Sequence, residues 1–88
     1  MEDKFIQSTK VQDAAAKADA AGTVAILQLV YFTGGRDWEI WLVIDGKNEL
    51  RNVHNLQEGT AKDRFMALQQ LFLDRGITYE ARVSYPNN

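Results

Sequence analysis

The densest apolar stretch of the chain lies between residues 24 and 45. It consists of two runs, Val24 to Phe32 and Trp38 to Asp45, both rich in the β-branched and aromatic residues that favour strands. A short segment containing Gly34-Gly35 joins them, and Asp45-Gly46 ends the second run. Asp-Gly is a strong signal for a tight hairpin turn. The pattern therefore predicts a β-meander that the rest of the chain covers.

The alternation of side chains predicts which face of this meander is buried. A four-residue loop at 34–37 would place Leu29 opposite Leu42, within an almost wholly apolar set of cross-strand pairs. A shift by one residue would bring Gln28 into that set and bury an amide among apolar groups. We therefore predict that Leu29 and Leu42 face the core.

The opposite face of the two runs is apolar at its centre and polar at its edges. Its apolar members are Ile26, Val30, Phe32, Trp41 and Val43. Two interpretations are open for these residues: burial beneath the first helix, or a contact surface for another protein or a second copy. Aromatic anchors dominate such contact surfaces. The candidate interface residues are accordingly Val30, Phe32, Arg36, Trp41 and Val43.

Two helices flank the meander in the sequence. Residues 10–21 are alanine-rich, with Ser8 or Thr9 as the predicted N-cap and Gly22 as the C-cap. The second helix is predicted over residues 61–75, capped by Thr60. Its sheet-facing stripe comprises Ala61, Phe65, Leu68, Leu71 and Phe72, and Met66 and Leu73 lie off that stripe.

The remaining segments complete the predicted order. Residues 48–54 suit a weak third strand, and the alternation in residues 77–85 predicts a last strand that buries one face only. Residues 1–8 form a loose lead-in, with Phe5 and Ile6 as candidate anchors. The prediction is a single α+β domain over residues 1–88 in the order α-β-β-β-α-β, an antiparallel meander with helix packed on one face.

Composition narrows the class of protein. The chain has 88 residues, of which 45% are hydrophobic and 25% charged, as in an ordinary globular domain. It has no cysteine, so it has no disulfide or thiolate chemistry. Its opening residues are polar and its longest apolar runs are only strand-length, which predicts no signal peptide and no membrane helix. We expect a cytoplasmic protein without cofactor or metal.

The charge distribution bears on nucleic-acid binding. The net charge is −2, and the ten basic residues are spread along the chain instead of clustering. Nucleic-acid-binding proteins normally concentrate lysine and arginine on one face. A protein partner is therefore the first hypothesis. The alternative is a nucleic-acid-binding accessory protein that uses Arg36, Lys47, Arg51 and nearby aromatic residues.

The sequence offers little support for catalysis. Asp37 and the Asp45-Gly46-Lys47 segment loosely match the acid and acid-x-Lys pattern of metal-dependent nucleases. Eight residues of extended chain would separate the two acids by roughly 26 Å, too far for them to share a metal ion. His54 is the only histidine and has no cysteine to complete a zinc site. We expect no enzymatic activity and no small-molecule substrate.

One family resemblance covers about residues 28–85. The segment WEIWLVIDGKNELRNV, followed by RFMALQQLFLDRGI, resembles small accessory proteins of plasmids and integrated elements, the nearest being the ParC-type partition-associated group. Small phage-encoded inhibitors of bacterial defence enzymes are similar in size. The resemblance implies an intracellular, non-enzymatic partner protein encoded on a mobile element. It carries over no functional residue.

Overall fold

The helices and strands follow the predicted α-β-β-β-α-β order. The computed structural model describes residues 4–32, 37–51 and 53–85. The elements within these ranges are α1 (Thr9–Ala21), β1 (Ala25–Tyr31), β2 (Trp38–Ile44), β3 (Lys47–Asn48), α2 (Glu58–Asp74) and β4 (Tyr79–Ser84). The α+β class is therefore confirmed.

The strands form one mixed sheet in the order β3-β2-β1-β4. The first three strands make the antiparallel meander that the sequence predicts. β4 instead pairs with β1 in parallel, after the chain crosses the sheet through α2. β4 thus occupies the end of the sheet opposite β3.

The register of β1 against β2 differs from the prediction by two residues. Leu29 lies opposite Ile40, not Leu42, and Tyr31 lies opposite Trp38. Pairing continues toward the turn, because the Phe32 amide donates to the Asp37 carbonyl at 3.2 Å. Side chains alternate with period two, so a two-residue shift leaves the same residues on each face. The predicted faces are therefore correct although the predicted pairs are wrong.

The third strand is much shorter than predicted. β3 contains only Lys47 and Asn48, and the chain then leaves the regular ladder. Side-chain and loop groups take over the outer edge of β2. Asn48 Oδ1 accepts from the Leu42 amide, the Val53 carbonyl accepts from the Ile40 amide, and Leu56 exchanges two backbone hydrogen bonds with Trp38. This edge of the sheet is thereby closed without a long strand.

The hairpin between β2 and β3 confirms the Asp-Gly signal. Asp45 and Gly46 have φ values of 51° and 82°. Positive φ at both central residues is the requirement of a two-residue type I′ turn, whose twist matches that of the flanking strands. Local sequence alone accounts for this connection.

The ends of the helices agree with the sequence in one case and differ in the other. The Ser8 hydroxyl accepts from the Val11 amide at the start of α1, and Gly22 ends α1 in the left-handed conformation, as predicted. α2 begins at Glu58, earlier than the predicted Thr60 cap, and its N-cap Gln57 makes no side-chain capping bond. Glu58 provides a negative charge in the first turn, which favours this earlier start.

Both helices pack on the same side of the sheet. One buried cluster contains residues of both helices and of the sheet. Its members include Val11, Ala14, Ala15 and Ala18 of α1, Ala61, Phe65, Leu68 and Phe72 of α2, and Ala25, Leu27, Leu29, Trp38, Ile40, Leu42 and Ile44 of the sheet. Phe5 and Ile6 pack against this cluster, as expected of anchors. We call this side of the sheet the helix side. The first helix therefore does not cover the face that carries Trp41.

The prediction that β4 buries one face is wrong. Tyr79, Ala81 and Val83 point to the helix side because they lie beside Ala25, Leu27 and Leu29 in the parallel ladder. Tyr79 is only half-buried, however, and both Ala81 and Val83 are exposed. α1 and α2 pack over β1 and β2, so the helix layer ends before it reaches the end of β4.

Replacing Leu68 with alanine tests the position of α2. Leu68 is fully buried between α2 and the sheet. Leu68→Ala should lower the free energy of unfolding by about 2–5 kcal/mol, as other large-to-small changes in cores do. Gln70→Ala, at an exposed position of the same helix, should change it by less than about 0.5 kcal/mol in the same urea titration. Equal effects of the two changes would contradict this packing.

Candidate interaction surface

The side of the sheet opposite the helices is not covered by any element among the described residues. We call it the open face. Strand alternation and register place on it the apolar residues Ile26, Val30, Phe32, Trp41 and Val43, together with Gln28, Glu39, Glu80, Arg82 and Ser84. Four of the five candidate interface residues, Val30, Phe32, Trp41 and Val43, are therefore on one surface. The fifth, Arg36, lies outside the described residues.

Trp41 is held in place at the centre of the open face. Its indole Nε1 donates to Glu39 Oε1 at 2.7 Å. Val30 lies directly opposite Glu39 on the neighbouring strand, and it is only 3% exposed although it does not belong to the helix-side cluster. Glu39 directly opposite and Trp41 diagonally opposite are cross-strand neighbours of this buried valine. Trp41 itself remains half-buried, so it presents part of its ring to solvent.

Charged groups border the apolar centre along β4. Arg82 Nη2 lies 2.5 Å from Glu80 Oε2, and both side chains are about half exposed. Glu80 lies beside Ile26, and Arg82 lies beside Gln28. A central apolar patch with an aromatic anchor and a polar rim is the usual anatomy of a protein interface.

A second apolar surface lies where β4 borders α2 on the helix side. We call it the edge ledge. It consists of Met66, Leu73, Val83 and Tyr85, which are 67%, 62%, 53% and 49% exposed. This surface was not predicted from the sequence. Its signals were Met66 and Leu73, which lie off the buried stripe of α2, and the apolar alternation of β4.

Contacts on both sides of the ledge bring α2 and β4 together. The Tyr79 hydroxyl donates to Gln69 Oε1 at 3.3 Å, and the rings of Tyr79 and Phe72 meet edge to face at 5.8 Å between centroids. At the other end of β4, Tyr85 packs edge to face against Tyr31. Tyr31 in turn contacts Trp38, whose ring lies 5.7 Å from Lys62 Nζ. β4 is therefore fixed against α2 at Tyr79, and the chain just beyond β4 is fixed against β1 at Tyr85.

Lys62 carries the one resolved pKa shift among the described residues. Its hydrogen bond to Glu58 raises the pKa of the ammonium above its usual value, and the charge of that carboxylate adds to the effect. Interaction with Tyr85 raises the pKa slightly further. The ammonium is exposed and remains charged at neutral pH, so this group does not act as a proton donor or acceptor there.

Three basic residues meet at the opposite end of the sheet. Lys10, Lys47 and Arg51, with Asn48 and Glu49, line a shallow depression of about 430 Å³. Lys47 and Arg51 are two of the residues in the nucleic-acid hypothesis, and Lys10 from α1 joins them. Lys17 forms an ion pair with Glu49 at 3.1 Å, which brings a further cation and an anion to this region.

The structure places the candidate catalytic groups apart from one another. Asp37 and Asp45 flank opposite ends of β2, and His54 is exposed. The described residues contain no cluster of three or more histidine, cysteine or acidic side chains able to hold a metal ion. No helix in the described part of the chain is long and apolar enough to cross a membrane.

Comparison with protein-family models, with curated proteins and with solved structures found no match to this chain. The ParC-type resemblance therefore remains an expectation from the sequence.

Replacing Trp41 with alanine tests how much the open face contributes to stability. Trp41→Ala should cost about 1–3 kcal/mol, because a half-buried ring loses contacts and Val30 becomes exposed. Phe72→Ala, in the helix-side core, should cost about 3–5 kcal/mol. Glu39→Gln retains an oxygen acceptor for the indole and should change stability little. A loss for Trp41→Ala as large as that for Phe72→Ala in thermal melts would contradict the open position of this ring.

Proposed function

We propose that this protein is a small, non-enzymatic interaction module that binds another protein through the open face of its sheet. The observation that carries the proposal is the position of Trp41: a half-buried indole fixed by Glu39 at the centre of an apolar sheet face, on the side away from both helices. Binding would depend on the shape and polarity of this surface and not on a chemical reaction. An accessory or inhibitory protein of a plasmid, phage or integrated element would act in this way.

The open face offers an anchor that is ordered before the partner arrives. The indole is held by its hydrogen bond to Glu39, and it lies on a sheet face next to the buried Val30. A partner would therefore lose little side-chain entropy by contacting it. Val43 and Ile26 lie beside each other on the adjoining strands and extend the apolar area next to the indole. The chemistry fits a partner that presents an apolar ridge, such as one face of an amphipathic helix.

The size of the face limits the complex that one copy can form. Three long strands and a short fourth, each about 4.8 Å from the next and about 20 Å long, give a footprint of roughly 300–400 Å². Specific, stable complexes typically bury about 800 Å² on each partner. A partner that contacts one open face alone should therefore bind in the transient range.

A charged substitution at Trp41 tests this proposal. Tagged full-length protein, Trp41→Glu and the control Ala16→Glu would be used to capture proteins from extracts of the native host. Ala16 is exposed on α1, on the helix side of the sheet, so its substitution adds the same charge away from the open face. We expect a protein that the wild type and Ala16→Glu capture and that Trp41→Glu loses by at least tenfold, as for a central aromatic anchor.

The partner so identified would be purified and its binding measured by calorimetry. Circular dichroism spectra would establish that Trp41→Glu remains folded. A folded Trp41→Glu variant that binds the purified partner as tightly as the wild type would refute the open face as the binding surface. Retention of an apolar-ridge partner by Trp41→Phe would indicate that the ring, and not the indole N–H, is the anchor.

A second candidate function is nucleic-acid binding at the depression formed by Lys10, Lys47 and Arg51. Its support is that Lys10 of α1 joins Lys47 and Arg51 of the segment around β3 on one concave surface, in a protein with a net negative charge. Against it, Glu49 lines the same depression and pairs with Lys17. Binding to phosphates would depend strongly on salt, unlike binding through the apolar open face.

Nucleic-acid titrations at two salt concentrations separate the candidates. We expect dissociation constants weaker than about 1 μM for random duplex or single strands at ~150 mM salt, because few phosphates can be neutralised here. Fluorescence anisotropy would measure them. Sub-micromolar binding that weakens in a Lys47→Ala/Arg51→Ala variant but not in a Lys62→Ala variant would instead favour the second candidate. Lys62 is the matched control because it is an exposed lysine far along the chain on α2.

A further inference from the structure

We infer that the β4 edge and the edge ledge form an interface with a second copy of this chain. The two copies would pair their β4 strands antiparallel about a two-fold axis normal to the sheet. The result is one continuous eight-stranded sheet built from two four-stranded sheets. This inference does not depend on the proposed function, because it uses different residues and a different part of the molecule.

The backbone of β4 has hydrogen-bonding groups on its outer side. The Ala25 amide donates to the Thr78 carbonyl at 3.2 Å, which fixes the phase of the parallel ladder between β1 and β4. Backbone groups along a strand point alternately to its two sides, so the amides and carbonyls of Tyr79, Ala81 and Val83 point away from β1. No strand within the described residues pairs with this outer side. An unpaired strand edge is a template for another strand.

The side-chain charges of β4 are complementary to those of a second copy in one register. Placing Ala81 opposite Ala81 of the second copy puts Glu80 opposite Arg82 twice, once on each side of the axis. It also puts Tyr79 opposite Val83, so that all three outward-pointing residues exchange backbone hydrogen bonds. Moving the centre to residue 80 or 82 would place like charges opposite each other, which is destabilising. The alternation of Glu80, Ala81 and Arg82 therefore selects the register centred on Ala81.

The edge ledge lies beside the outer edge of β4. Positions 62, 66, 69 and 73 of α2 recur at helical spacing and share one stripe. Gln69 in that stripe accepts a hydrogen bond from Tyr79 of β4, and Lys62 lies over Trp38, whose ring neighbour Tyr31 contacts Tyr85. The stripe, which includes Met66 and Leu73, is therefore the side of α2 nearest to β4. With the two-fold axis at Ala81, this stripe of one copy faces the same stripe of the other copy, and the exposed Val83 side chains lie between them. Edge pairing would thereby bury the four residues of the ledge.

The dimer would also enlarge the open face. An axis normal to the sheet keeps both open faces on the same side of the continuous sheet. The two β2 strands, and with them the two Trp41 anchors, would be roughly 24 Å apart, since five strand spacings separate them. The combined footprint becomes roughly 600–800 Å², which approaches the area of a standard specific interface.

Charge reversal tests the pairing. Sedimentation equilibrium of the full chain should give twice the 10.0 kDa chain mass at micromolar concentration. Glu80→Arg and Arg82→Glu should each weaken the dimer by roughly tenfold or more, because each change places like charges opposite each other at two symmetric positions. The double variant Glu80→Arg/Arg82→Glu restores both pairs and should restore the dimer.

Two valine-to-lysine substitutions, one inside the edge ledge and one outside it, test whether the ledge takes part in dimerisation. Val83→Lys places a charge in the ledge, whereas Val24→Lys changes a valine of similar exposure, 56% against 53%, in the segment immediately before β1. The first should abolish dimerisation and the second should leave it unchanged. Melting curves of the variants at low concentration would establish that each chain is folded.

Hydrogen exchange identifies the surface independently of any substitution. The amides of Tyr79, Ala81 and Val83 should exchange slowly in the dimer and faster on dilution to the monomer. The inference would be overturned by a wild-type chain that remains monomeric up to about 1 mM. It would be overturned equally by a dimer in which these amides exchange rapidly, or in which charge reversal has no effect, since association would then use another surface.

Discussion

The position of both helices on one side of the sheet determines which surfaces of this fold remain exposed. The alanine stripe of α1 allows close approach to the sheet, so α1 fits next to α2 in a single layer. That layer covers β1 and β2 and reaches β4 only at Tyr79, so the rest of β4 remains uncovered on the helix side. Two consequences follow from this one arrangement. The face that carries Trp41 lies away from the helices, and the helix side of β4 remains exposed at Val83.

The sequence predicted the features that depend on local chemistry or on the alternation of side chains between the two faces of a strand. The Asp45-Gly46 turn, the Ser8 and Gly22 caps of α1 and the buried stripe of α2 are all of this kind. This alternation cannot distinguish registers that differ by two residues. The predicted partner of Leu29 was therefore wrong, although the predicted face of the sheet was correct. The alanine stripe of α1 would fit either face of the sheet. Its position depends on contacts distant in sequence, which a local pattern does not contain.

The two edges of the sheet differ in how the hydrogen-bonding groups of their backbones are satisfied. At the β2 edge, Asn48, Val53 and Leu56 supply hydrogen-bond partners where β3 is too short to do so. At the β4 edge the described residues supply none. Proteins commonly protect an exposed edge with charged side chains. Glu80 and Arg82 would disfavour pairing of β4 with most other strands. The same two charges are complementary to those of a second copy of β4, so they favour pairing with that copy.

The open face and the edge ledge can operate together because they use separate groups. Edge pairing relies on outward backbone groups of β4 and on side chains of the helix side, whereas partner binding relies on side chains of the open face around Trp41. A dimer would present two anchors on one rigid sheet, and a partner that engages the first would meet the second at high effective concentration. A face too small to bind tightly on its own would then contribute to strong binding. Self-association would thus set the affinity for the partner without changing any contact that the partner makes with Trp41.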